Sequence, residues 1–77
     1  MGAIRDLQPG ERGRVTGFAA GDRDYRHRLL AMGLTPGTEF ELTRVAPLGD
    51  PVEIRVRGMG LSLRKVEADM LMIERVR

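Results

Sequence analysis

The chain has no cysteine and no tryptophan, only three aromatic residues, and one lysine among its thirteen basic residues. Without cysteine there is neither a disulfide framework nor a cysteine-ligated zinc or iron–sulfur site. Long apolar runs are missing as well. The longest, such as 29–32 and 70–73, are four residues, against the ~20 that a membrane-spanning helix needs. No apolar core of a signal peptide is visible either, so a soluble, cytoplasmic protein without membrane insertion is expected. Charge of one sign is not concentrated anywhere. Basic and acidic residues number six and four up to Arg28, three and four from Glu39 to Arg57, and four and three from Arg64 onward. The pI of about 9.9 therefore reflects mixed charges, and the electrostatic footprint of a nucleic-acid binder is weak.

Size sets a second bound. By mass scaling, folding 77 residues removes roughly 7,800 Å² from water, worth about 117 kcal/mol if ~60% of it is apolar. Ordering the chain costs about 115 kcal/mol. The near cancellation leaves little for a deep active-site cavity, and it favours a binding or regulatory module over an enzyme. Enzymatic signatures are absent too: there is no phosphate loop of the GxxxxGK[ST] type, no HExxH and no GxSxG. Ser62, the only serine, lies between Leu61 and Leu63 and reads as the outward residue of a strand.

Glycine and proline punctuate what is there. Leu7-Gln8-Pro9-Gly10-Glu11 and Leu34-Thr35-Pro36-Gly37-Thr38 each have the composition of a type II turn, with Pro at its second position and Gly at its third. A strand is expected over 13–18. The segment 22–32 reads as the main helix, with Tyr25, Leu29 and Met32 at i, i+4 and i+7. Gly33 is placed to end it, Leu34 to pack back on Leu29, and Pro36 to prevent continuation. Beyond it the period changes to two. Phe40 and Leu42 share a face, Val45 falls out of step and implies a bulge, and Val52, Ile54 and Val56 alternate with charged residues. Met59, Leu61 and Leu63 continue the alternation after Gly58. Residues 64–69 allow one helical turn, and 70–73 suit a final strand buried on both faces. About five short strands, one α-helix and a short helical turn before the last strand predict a mainly β fold, a small barrel spanning 1–77 as one domain.

Two groups of side chains suggest binding chemistry. Asp24 and His27 lie at i, i+3 on the main helix and, with Asp22, could grip a divalent cation. A tight site needs three or four fixed ligands, so these are weak metal candidates on what otherwise reads as a charged, solvated helix face. Ala46-Pro47-Leu48-Gly49-Asp50-Pro51 is stiffened by two prolines. It either projects Leu48 as an apolar anchor or folds it back over the barrel end. Arginine richness admits an RNA-binding barrel as the alternative. The three aromatics, Phe18, Tyr25 and Phe40, fit the core pattern, however, and leave no base-stacking platform. No single arginine is marked for donation to a GTPase. Arg64 is placed to pair with Glu67 three residues on or to serve a partner.

Residues 29–38, 46–51 and 63–68 resemble the successive signatures of the FeoA family, small cytoplasmic accessory proteins of bacterial ferrous-iron uptake. The resemblance covers roughly 10–76. It implies an SH3-like barrel, in agreement with the five-strand pattern; the absent catalytic signatures add the expectation of a non-enzymatic protein without a cofactor. It also implies a partner: the cytoplasmic GTP-binding portion of the membrane ferrous-iron transporter. On that reading the expected contacts are Met32, Leu34, Pro36, Leu48 and Asp50, while Gly33, Gly37 and Gly49 shape the surfaces that carry them. Flat edge strands would also permit a homodimer.

Overall fold

In a computed structural model, which describes residues 2–21 and 23–76, the chain forms five strands and two helices. They run in the order β1 (Arg12–Phe18), α1 (Arg23–Ala31), β2 (Glu39–Val45), β3 (Val52–Val56), β4 (Met59–Leu63), α2 (Lys65–Asp69) and β5 (Leu71–Val76). A 3-10 turn over Ile4–Asp6 precedes them and has no counterpart in the sequence reading. The strands hydrogen-bond in the order β4-β3-β2-β1-β5, each pair antiparallel. The five expected strands are thus present. Among the described residues the ladder ends at β4 and β5 rather than closing between them.

The core is built where the period-two pattern aims it. Phe40 and Leu42 of β2, Val52, Ile54 and Val56 of β3, Leu63 of β4, and Leu71 and Ile73 of β5 are buried, together with Val15, Leu29 and Leu34. Gly13 lets the sheet close over Phe40. A Cβ at this position would lie 2.8 Å from the ring and 3.1 Å from the Ile73 methyl group, closer than packed atoms tolerate. The bulge expected near Val45 is a register shift between Leu42 and Arg44, and a second shift lies between Val15 and Gly17 of β1. Both bend the strands, as extra residues in a ladder do.

Helix α1 ends as its sequence dictates. The Leu34 N–H donates to the Leu29 carbonyl at 3.1 Å and the Gly33 N–H to the Leu30 carbonyl at 3.0 Å, with Gly33 at φ 89°. That is a Schellman motif, which satisfies the carbonyls a helix end leaves open. Both proline–glycine turns form: Glu11 N–H donates to the Gln8 carbonyl and Thr38 N–H to the Thr35 carbonyl. The second turn then docks on β1 through Val15 and Gly37.

Two expectations need correction. β5 is buried on one face only: Leu71 and Ile73 are enclosed, while Met70 and Met72 are half-buried. As an end strand it has β1 on one side and only a bridge from Gly2 to Ile73 on the other. Met59 continues the alternation of β4 but is 64% exposed, because β4 is the other end strand.

Candidate functional site

Arg28 of α1 and the loop 46–51 both reach α2. Glu67 lies in its single turn with a side chain only 4% exposed. Its Oε1 accepts the Arg64 N–H at 2.9 Å, which caps the helix, and its Oε2 accepts Arg28 Nη1 at 3.2 Å. The ion pair expected between Glu67 and the Arg64 side chain is therefore replaced by one to Arg28 of α1. Arg28 is 39 residues away, a separation at which no local spacing rule operates. Lys65, the first residue of α2, donates its backbone N–H to Asp50 Oδ1 at 3.2 Å, which ties the loop 46–51 to the same helix.

That loop is braced internally as well. Gly49 N–H donates to the Ala46 carbonyl at 2.7 Å, and Ala46 N–H donates to the Pro51 carbonyl at 3.1 Å. Gly49 holds φ 81°, and the Asp50-Pro51 peptide is cis. Leu48 stands out at 92% exposure, so the projecting alternative is the one observed. The apolar side chains beside the loop come from the N-terminal turn instead: Ile4 and Leu7, with Val45 and Val52, line a pocket of about 250 Å³ that Gly49 and Lys65 border. Val66 of α2 is half exposed.

The other expected contacts lie elsewhere. Glu41 is opposite Arg55, so the start of β2 and the turn 35–38 sit by the β3–β4 hairpin, whose Arg57 guanidinium approaches Gly33. The loop 46–51 enters the opposite end of β3, roughly 13 Å away along a five-residue strand. Leu34 is fully buried in the core and cannot touch a partner, because its role as the residue closing the helix end takes it inside. Met32 is half-buried and Pro36 exposed. Thr38, which the sequence did not single out, is buried and donates its hydroxyl to the Gly33 carbonyl at 3.2 Å. Asp50 is exposed, but its carboxylate is engaged in bracing the loop.

Asp24 and His27 are exposed on α1, and Asp22 lies outside the described residues. Among the described residues no three His, Cys, Asp or Glu side chains cluster closely enough to hold a metal ion. Nor is any helix long and apolar enough to cross a membrane.

On the charged face of the sheet, the charged residues of β1 are paired with those of its two neighbours. Arg14 of β1 donates to Glu74 of β5 at 2.5 Å and to Glu39 of β2 at 3.3 Å, and Arg12 also reaches Glu39. The hydrogen bonds that Arg14 donates to Glu74 and then to Glu39 raise its pKa above the ordinary value. Of the aromatics, Phe40 is buried, Tyr25 half-buried, and the half-buried Phe18 ring lies under the Arg26 guanidinium at 5.6 Å.

Known structures share this fold. A FeoA-like protein from Clostridium acetobutylicum is 32% identical, with 97% of this chain and 86% of that one covered at a TM-score of 0.86. A FeoA protein from Chlorobium tepidum is 36% identical, covering 99% and 71% at 0.84. A zinc-complexed FeoA from Stenotrophomonas maltophilia, described as an SH3 domain protein and a candidate activating factor for bacterial ferrous iron transport, superimposes at 0.80 over 96% and 91%. At 19% identity it speaks to the fold alone. The FeoA domain family model matches residues 3–75, nearly the whole chain and all three motif segments, and the chain belongs to the FeoA family.

Proposed function

We propose that this protein is a non-enzymatic accessory module of bacterial ferrous-iron uptake, working in the cytoplasm. It binds the cytoplasmic GTP-binding portion of the membrane transporter and assists transport or tunes GTP turnover. The observation that carries this reading is Leu48, 92% exposed on a loop braced by two backbone hydrogen bonds and by Asp50 against α2. A large apolar side chain held out on a preordered loop loses little entropy when a partner covers it. The pocket beside it, floored by the buried Ile4 and Leu7, offers the exposed Val45 as further apolar surface. Met32 and Pro36, at the far end of β3, form a second and smaller contact. Asp50 contributes by holding the loop.

The test is ferrous uptake and GTP turnover with Leu48→Asp, after circular dichroism shows that the variant folds. Because Leu48 contributes nothing to the core, folding is expected to be unchanged, while association with the transporter falls at least about tenfold. Unchanged uptake, turnover and pull-down would remove the loop as the contact site.

A further inference from the structure

The two ends of the sheet are treated differently, and the difference points to a binding surface apart from the Leu48 loop. At one end, β5 is occupied in its middle by the chain's own N-terminus: Gly2 N–H donates to the Ile73 carbonyl at 2.8 Å, and Ile73 N–H donates to the Gly2 carbonyl at 2.9 Å. Glu74 and Arg75 add charge farther along. At the other end, among the described residues, β4 pairs only with β3. Its sequence, Met59-Gly60-Leu61-Ser62-Leu63, has no charge, no proline and no register shift against β3. These are the devices by which proteins normally blunt an end strand.

The hairpin geometry fixes which backbone groups are free. Val56 and Met59 flank a two-residue turn and form its hydrogen-bonded pair, so Leu61 and Leu63 also bond inward to β3. The N–H and C=O groups of Gly60 and Ser62 therefore point away from the sheet. A Cβ built on Gly60 meets nothing within 4 Å, and Ser62 is small and exposed, so another backbone can come close. On the core side of the strand, Met59 is 64% exposed and Leu61 half-buried, an apolar shelf for alternate side chains of an added strand.

Charge selects the occupant. Arg57 precedes the strand, Arg64 and Lys65 follow it, and Arg55 lies opposite Gly60. None of these four cations belongs to an ion pair among the described residues, whereas the nearest acid on β3, Glu53, is engaged by Arg44 at 3.3 Å. A second copy paired symmetrically about the middle of the strand is disfavoured. Antiparallel self-pairing centred on Leu61 would set Arg57 of each chain against Lys65 of the other, a like-charge opposition. We propose that β4 receives an extended peptide segment of another protein as a sixth strand. That segment has apolar residues at alternate positions to sit on Met59 and Leu61, and acidic residues near both ends to meet Arg57 and Arg64. Backbone hydrogen bonds to Gly60 and Ser62 supply register, and the flanking cations supply selectivity.

The test is selection of a random dodecamer library displayed on phage against the full chain, followed by titration of a synthetic peptide of the enriched sequence. Ser62→Pro removes one outward N–H without touching the ladder to β3, a position where an end strand tolerates proline. The proposal expects enriched sequences that alternate apolar and polar residues between acidic ends, and about a tenfold or greater loss of affinity in Ser62→Pro. It also expects slowed amide exchange at Gly60 and Ser62 of the unmodified chain when peptide is added, which decides the matter even if the proline variant fails to fold. It is overturned by an absence of enrichment, by peptides whose addition leaves the Gly60 and Ser62 amides exchanging as before, or by binding that survives Ser62→Pro in the folded variant. Protection of those amides that rises with protein concentration alone would assign the edge to a second copy and equally overturn it.

Discussion

At the scale of single residues, two positions are constrained more tightly than their chemistry suggests. Gly13 is a strand glycine required by contact rather than by its backbone angles: a methyl group there meets the Phe40 ring at 2.8 Å. Gly13→Ala is expected to destabilise the fold by about 1–3 kcal/mol, the usual cost of overpacking a core, read as a lower urea midpoint with unchanged slope. Arg28 and Arg44 make a second comparison. Both pair with a glutamate at 3.2–3.3 Å, but Glu67 is 4% exposed and Glu53 44%. Removing the cation from a buried carboxylate leaves a desolvated charge, whereas an exposed pair is worth little. Arg28→Ala should therefore cost about 2–4 kcal/mol and Arg44→Ala less than about 1 kcal/mol. Equal effects in thermal melts would show that Glu67 finds water instead.

At the scale of elements, the stop of α1 joins helix to sheet. Gly33 sits at φ 89°, where any side chain is strained, and its carbonyl accepts the buried Thr38 hydroxyl. Gly33→Ala should lower stability by about 1 kcal/mol and shift the melting midpoint down by roughly 4–8 °C for a domain of this size. Sequence reasoning succeeds here because every signal is local: Leu29, Gly33, Leu34 and Pro36 lie within two turns, and the Schellman bonds join Leu34 to Leu29 and Gly33 to Leu30. It succeeds for β3 for the same reason, since Val52, Ile54 and Val56 alternate without interruption. It fails at the single turn of α2. Glu67 has a near neighbour in Arg64 that satisfies the i+3 rule, yet the geometry uses the Arg64 backbone and takes its cation from α1.

At the scale of the whole molecule, the surface offers no platform for bases. Phe40 is in the core, Phe18 and Tyr25 are half-buried, and Arg12 and Arg14 are bound to acids of neighbouring strands. Titration with single-stranded RNA at physiological salt is expected to show no binding tighter than about 10⁻⁴ M, the weak end of non-specific association. Saturable binding with a steep salt dependence would restore the RNA-binding alternative. Among the described residues, the same distribution leaves Leu48, Met59 and Val66 as large apolar groups more open to solvent than Val45.

The sequence by itself made the five strands and the main helix legible, because turns, helix stops and strand alternation are encoded by neighbours a few residues apart; it did not show the 3-10 turn at Ile4–Asp6. Its missing cysteines and short apolar runs also closed off disulfides, cysteine-ligated metal sites and membrane-spanning helices. It left open whether Leu48 projected or folded back, and it offered Leu34 and Met32 alike as contacts. Only the tertiary structure decided these. It buried Leu34, exposed Leu48, left β4 as an unguarded edge and placed Arg28 on Glu67. Each of those outcomes depends on which segments distant in the chain arrive beside one another, and a residue's own neighbours carry no record of that.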